Sequence, residues 1–374
     1  MNPGALPTSI KRQSARFGPW DAAAIVVVLA TLVLLATAWR GIVAPLPAAG
    51  EAVTLDPAAL PGYALRTALR MLAAMALSLL FTLTYATLAA KSRRAEAILI
   101  PLLDTLQSVP ILGFISVTVT FFLSLTPGRT LGAEFAAIFA IFTSQAWNMA
   151  FSFYQSLRTV PLDLTEASYS LRLGPWMRFW KLEVPFAMPA LIWNMMMSMA
   201  GGWFFVVASE AISVGDTTVA LPGVGSWIAL AIEQRDLPAI GLAVLAMMAV
   251  ILIFDQFLFR PLIAWADRFR FVQESEVSQP TSWVLTMLRR SRVVEVASRP
   301  VADLWSLGYR FAPKGRERMP APPGEARRAT AVDRLWQGAV LLASLAGLWA
   351  IGRFLSTTLT LADVLQPVLL GGSR

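Results

Sequence analysis

Long apolar runs separated by short polar, basic stretches dominate the chain. A helix crossing a bilayer needs about 20 mostly apolar residues. Six such runs precede residue 265 and one follows residue 330. They are 21–39, 67–90, 97–125 (interrupted by Pro101 and Pro110), 131–157, 185–214 (broken by Gly201-Gly202), 237–259 and 335–355. The pattern predicts an all-helical integral membrane protein with about six transmembrane helices and one extra C-terminal helix. The first run has a basic start and Ala36-Thr37-Ala38, but its apolar stretch exceeds a usual signal-peptide core, so it reads as a retained span.

The positions of Lys and Arg set the expected orientation. Lys11, Arg12 and Arg16 precede the first run, and Lys91, Arg93 and Arg94 follow the second. Arg158, Arg172, Arg178 and Lys181 follow the fourth, and Arg260, Arg268 and Arg270 follow the sixth. The alternate loops hold few positives: Arg40, Arg129 and Arg235. Positive charge accumulates on the cytoplasmic side, so the N-terminus is expected inside, as in a multi-pass protein of a bacterial inner membrane.

Composition narrows the chemistry. The chain is 56% hydrophobic and 14% charged, outside the range of soluble domains. It contains no Cys and no His, which removes thiol and imidazole catalysis and most transition-metal sites. No phosphate-binding Walker loop is present, so no ATPase site, catalytic residue, metal site or cofactor is expected in the chain itself. The formal charge of +8 is explained by topology, without nucleic acid as a partner.

Residues 1–19 form a tail, 20–264 a transmembrane domain, 265–332 a basic cytoplasmic linker, and 333–374 a last unit with one helix. The linker holds Trp283, Leu285 and Trp305 among arginines, then a Pro-, Gly- and Arg-rich stretch. Asp333…Trp349…Arg353 repeats the frame Asp21…Trp39-Arg40, as if a second membrane unit began and stopped after one helix.

The segment between the fourth and fifth runs carries the most specific signal. It reads SLRTVPLDLTEASYSLRLGPWMRFWKLEVPFAMPA over 156–190. A short helix is expected from Thr165 to Arg172, a break at Gly174-Pro175, and an amphipathic stretch over Trp176–Glu183. A structured loop of this length is usually functional, and a short helix exposed there is a docking knob for a soluble partner.

This loop, 158–184, resembles the EAA loop of permeases in binding-protein-dependent ATP-binding-cassette importers. Glu166, Ala167 and Ser168 fill the Glu-Ala-Ala positions and Val184-Pro185 the closing pair. The family's glycine falls on Arg172, with Gly174 two residues later. Pro101-Leu102-Leu103…Gln107-Ser108-Val109-Pro110, Ala208-Ser209-Glu210 and Leu221-Pro222-Gly223-Val224-Gly225-Ser226 resemble segments of the nitrate/sulfonate/taurine-type members. The resemblance spans about 60–270. It implies a type I importer permease fold and a chain that forms half of a pore. Its partners would be separate ATPase subunits, an extracytoplasmic solute-binding protein, membrane lipid and a second permease unit, identical, fused or separate. Thr165, Glu166, Ala167, Ser168, Arg172, Gly174 and Arg178 are the implied ATPase-coupling residues.

Candidate pathway residues are Asp104, Gln107, Asn148, Asn194 and Glu210, because polar groups are costly in lipid. Asp104 and Gln107 are expected to face protein or a cavity. Asn148 and Asn194 either bond between helices or meet solute. Glu210 either lines the pathway or sits at the interface. Arg66 and Arg70 are expected to snorkel to the outer interface, and Gly201-Gly202 to permit close packing or a kink. An ion-coupled secondary transporter is the alternative, as is a truncated piece of a fused permease. The solute is left open.

Overall fold

The computed structural model describes residues 53–109, 118–119, 121–125, 130–214, 217–269, 284 and 286. The first and seventh expected spans, most of the 265–332 linker and the last unit lie outside these residues. The described residues fall in two compact units, one holding 53–87 and 106–269, the other 88–105.

In the larger unit, α1 (Leu60–Lys91) is 32 residues long. At 1.5 Å per residue it exceeds a hydrocarbon core of about 30 Å. Its buried positions, Ala64, Thr67, Met71, Ala74, Ser78 and Thr82, recur every three or four residues. The opposite face exposes Leu72, Leu77 and Leu80. Small and hydroxylated residues let helices approach on the inside while leucines meet lipid.

α3 (Thr130–Arg158) is the central helix. Gly132, Ala133, Ala136, Ala137, Ala140, Ala146 and Ala150 are buried on more than one of its sides. Buried on more than one side, it accommodates Thr143 and Gln145 in the interior. Among the described residues, 60–91, 175–210 and 237–269 are long and apolar enough to cross a membrane. α3 runs parallel to α1, since Arg70 meets Glu134 and Ser78 meets Phe142. It runs antiparallel to α6 (Val184–Glu210), since Asn148 meets Ser198 and Ser152 meets Asn194.

Between α3 and α6 lie α4 (Leu162–Ser170), α5 (Pro175–Arg178) and a π-helical segment, Phe179–Glu183. α6 does not break at Gly201-Gly202. A Cβ on Gly202 would lie 2.8 Å from Gln145 Nε2 and 3.2 Å from Met71 Cε, so this glycine serves close packing of three helices.

α6 stops at Glu210, short of the expected Val214. A two-stranded antiparallel hairpin follows, β1 (Ala211–Val214) with β2 (Thr217–Ala220), pairing Ala211 with Ala220 and Val214 with Thr217. The β-branched Ile212, Val214, Thr217, Thr218 and Val219 favour extended backbone over helix. A short helix absent from the sequence reading, α7 (Val224–Glu233), comes next.

Arg235, at φ 55, reverses the chain after α7, with Asp236 N–H donating to Ala231 O. Asp236 then caps α8 (Leu237–Phe254) by accepting from Ala239 N. α8 continues through a second π-helical segment, Asp255–Phe259, into α9 (Arg260–Ala266), beyond the expected end of the sixth span. α9 packs on α6.

In the smaller unit, Ser92 separates α1 from α2 (Arg93–Ser108). Its Oγ accepts from Ala95 N, an N-cap that satisfies one open donor of α2. Thr105 Oγ1 bonds back to the Pro101 carbonyl at 2.8 Å.

Candidate functional site

The loop between α3 and α6 folds as helix, break, helix. α4 begins at Leu162, earlier than the expected Thr165, because Pro161 takes the N-cap position with its φ already fixed near that of a helix start. Thr165 therefore lies inside α4, its hydroxyl bonded to Pro161 O at 3.2 Å. α4 ends in a Schellman turn: Arg172 N donates to Tyr169 O and Leu173 N to Ser168 O. Arg172 sits at φ 51, the left-handed conformation that favours glycine. The turn that the family pattern assigns to a glycine is therefore made here by an arginine.

Leu162, Asp163, Glu166, Ala167, Ser170 and Leu171 form one exposed face of α4. Arg172 is exposed as well, Thr165 and Gly174 are half-buried, and Ser168 is buried with its hydroxyl on Thr165 O. Arg178 points into the loop. Its Nε lies 3.2 Å from Glu183 Oε1, and its guanidinium lies 5.0 Å from the Tyr169 ring centre. Arg178 thus ties α4 to the start of the long helix, and Glu166 is free to face outward.

A neutral polar seam joins α3 to α6 deep in the spans. Asn148 Nδ2 donates to Ser198 Oγ at 3.0 Å, and Asn194 Nδ2 to Ser152 Oγ at 2.8 Å. Asn148 is nonetheless exposed. Asp104 and Gln107 lie on α2, both exposed.

Glu210 sits in a buried ion-pair knot at the end of the unit away from the loop. Arg70 forks onto Glu134, with Nε to Oε2 and Nη2 to Oε1 both at 2.6 Å. Arg70 Nη1 donates to Glu210 Oε1 at 2.7 Å and to Pro222 O at 3.1 Å. The same Glu210 oxygen accepts from Thr67 Oγ1, and its other oxygen accepts from Gly225 N at 2.7 Å. Thr67 Oγ1 in turn accepts from Val224 N. The Glu210 backbone carbonyl accepts from Leu221 N and Ser226 Oγ.

Arg70 is 4% exposed and Glu210 fully buried, so Arg70 does not snorkel. Two carboxylates hold it inside, where a desolvated guanidinium is stable only when paired. A Cβ on Gly223 would collide with the Glu210 carboxylate, and one on Gly225 with the Val207 carbonyl. Both glycines are therefore required by close approach.

Sequence reasoning singled out Glu210 but missed its partners Arg70 and Thr67, and Glu134 as the second carboxylate on Arg70. A signal was present. In alternating spans the starts of the second and fourth and the end of the fifth share one membrane side, and those places hold Arg70, Glu134 and Glu210.

Residues 78–262 match the family described as the binding-protein-dependent transport system inner membrane component. This segment belongs to that family. The matched segment holds the loop, the seam, the hairpin and two of the three charged residues of the knot, with Arg70 just before it. Bicarbonate transport system permease protein CmpB of Synechococcus elongatus is 26% identical over 177 residues, 47% of this chain and 57% of the relative. Glycine betaine/carnitine transport permease protein GbuB of Listeria monocytogenes is 26% identical over 168 residues, 45% and 54%. Glycine betaine/proline betaine transport system permease protein ProW of Escherichia coli is 28% identical over 165 residues, 44% and 42%. The chain spans about half the length of the curated relatives it matches.

Proposed function

We propose that this chain is the membrane permease subunit of an ATP-driven solute importer. It forms half of the translocation pathway, and α4 seats in a cleft of a separate ATPase subunit that performs the hydrolysis. The observation that carries this reading is the α4 loop itself. A nine-residue helix projects between two long spans, is closed by its own Schellman turn, is braced by Arg178, and leaves Glu166 on an exposed face.

Orientation supports the same reading. Arg158, Arg172, Arg178, Lys181 and Arg260 gather at the loop end of the parallel and antiparallel helices, which is the cytoplasmic end by the positive-inside rule. The hairpin and α7 then face outward, toward an extracytoplasmic solute-binding protein, and the N-terminus lies in the cytoplasm. Asn148 and Asn194, with Ser152 and Ser198, are the pathway-facing polar groups of this half, and a second permease unit supplies the other half. The relatives named for bicarbonate and for glycine betaine offer two solute classes to test.

The test is co-purification. Glu166→Lys reverses the charge at the centre of the exposed face while leaving the spans intact, and it is expected to abolish recovery of the ATPase with the membrane-inserted chain. Full recovery with this variant would remove α4 from the coupling role.

A further inference from the structure

We propose that Arg70 is a positioning residue that locks the ends of α1, α3 and α6 and the Leu221–Ser226 turn into one rigid element, so that this half moves as a unit at its knot end and rearranges internally only at the loop end. The proposal rests on the permease reading for the transport cycle. The rigid element is defined by the knot alone.

Arg70 lies on α1, Glu134 on α3 and Glu210 at the end of α6, so one guanidinium joins three helices. Its fork onto Glu134 fixes direction as well as distance, because two parallel N–H···O bonds forbid rotation about either one. Nη1 then reaches both Glu210 and the Pro222 carbonyl, so the returning turn is held by the same group.

Glu210 closes the circuit. Its carboxylate takes Thr67 Oγ1, Arg70 and Gly225 N, while its carbonyl takes Leu221 N and Ser226 Oγ. Trp227, fully buried one residue beyond that turn, donates from Nε1 to Ala239 O and so ties the start of α8 to the same element. A charged network satisfied on all sides in a low-dielectric interior is stiff, because each member that leaves strands another.

The loop end is built differently. Both π-helical segments of the described residues, Phe179–Glu183 and Asp255–Phe259, lie there, one entering α6 and one leaving α8. π-helical turns are rare and occur often at functional sites. Among the described residues, neither π-helical segment lies at the knot.

The native chain has no cysteine, so paired labels are introduced cleanly. Spin labels at Gly62→Cys and Ile232→Cys report the knot end, and labels at Thr159→Cys and Arg260→Cys, both off the α4 face, report the loop end. All four sites are exposed. Distances are measured in the full chain with its ATPase, without nucleotide and trapped with ATP and vanadate.

The expected result is a knot-end distance constant to about 2 Å while the loop-end distance shifts by about 5 Å or more. A knot-end shift of that size would overturn the proposal and leave the importer reading standing. Failure of both pairs to move would overturn the two together.

Arg70→Lys provides the second measurement. It keeps the charge but cannot bridge two carboxylates in a fixed plane. Stimulation of ATP hydrolysis by solute-loaded binding protein is expected to fall at least about tenfold per folded complex, with basal hydrolysis retained and hydrogen exchange raised at the Val224 and Gly225 amides. Unchanged stimulation by this variant, or a loss explained fully by less folded protein, would show Arg70 to be structural only.

Discussion

Gly225→Ala is the sharpest test of the knot geometry. The added Cβ would overlap the Val207 carbonyl oxygen and come within 2.8 Å of its carbon and 2.9 Å of Val207 Cα, all backbone atoms of α6. No side-chain rotation relieves that contact, so the turn must move off the helix. Moving it breaks the 2.7 Å bond from Gly225 N to Glu210 and strains those from Val224 N and Ser226 Oγ. A bond to a buried carboxylate is worth about 1.5–3 kcal/mol and each neutral one about 1 kcal/mol, so the loss is about 3–5 kcal/mol. For a unit of this size that corresponds to a fall in melting temperature of roughly 10 °C. Gly201→Ala is the control, since nothing lies within 4 Å of a Cβ there. In a helix it is expected to be neutral or to stabilise by about 0.5–1 kcal/mol. Thermal unfolding of the two purified variants in detergent reads the difference. Equal melting temperatures would refute the close approach of the turn to α6.

Two further substitutions probe the helix ends. Arg172→Gly places a residue without a Cβ at φ 51 and is expected to stabilise the α4 turn by about 1 kcal/mol, read as slower hydrogen exchange over residues 162–173. Asp236→Ala removes the acceptor for Ala239 N and is expected to cost about 1 kcal/mol in thermal unfolding, most of it recovered by Asp236→Asn.

The spans were legible where apolar residues run unbroken. The fourth run, expected over 131–157, forms one helix, Thr130–Arg158, although it is not among the segments long and apolar enough to cross a membrane, and the break at Gly174-Pro175 falls between α4 and α5 as read. Two errors have separate causes. Hydropathy does not distinguish helix from strand in an apolar run, so β1 was absorbed into the fifth span. The ten residues of α7 are too few to span and follow Pro222-Gly223, so they read as loop. Gly201-Gly202 read as a break in the run, whereas the helix continues through it; the alternative reading, close packing, is what Gly202 serves against Gln145 and Met71. The loop was legible in outline because its helix, break and basic flanks are local. The knot was not, because its partners lie 64 and 140 residues from Arg70. A single arginine near the start of an apolar run has the same local pattern whether it snorkels or is gripped by acids from other helices.

The claim that α4 is gripped on the inner side is tested most directly by labelling. A single Leu171→Cys, at a position 72% exposed in an otherwise cysteine-free chain, is treated with a membrane-impermeant maleimide in right-side-out and inside-out vesicles, with and without the ATPase. The predicted result is labelling in inside-out vesicles only, lost when the ATPase is bound. Labelling from the outer face, or labelling indifferent to the ATPase, would contradict it.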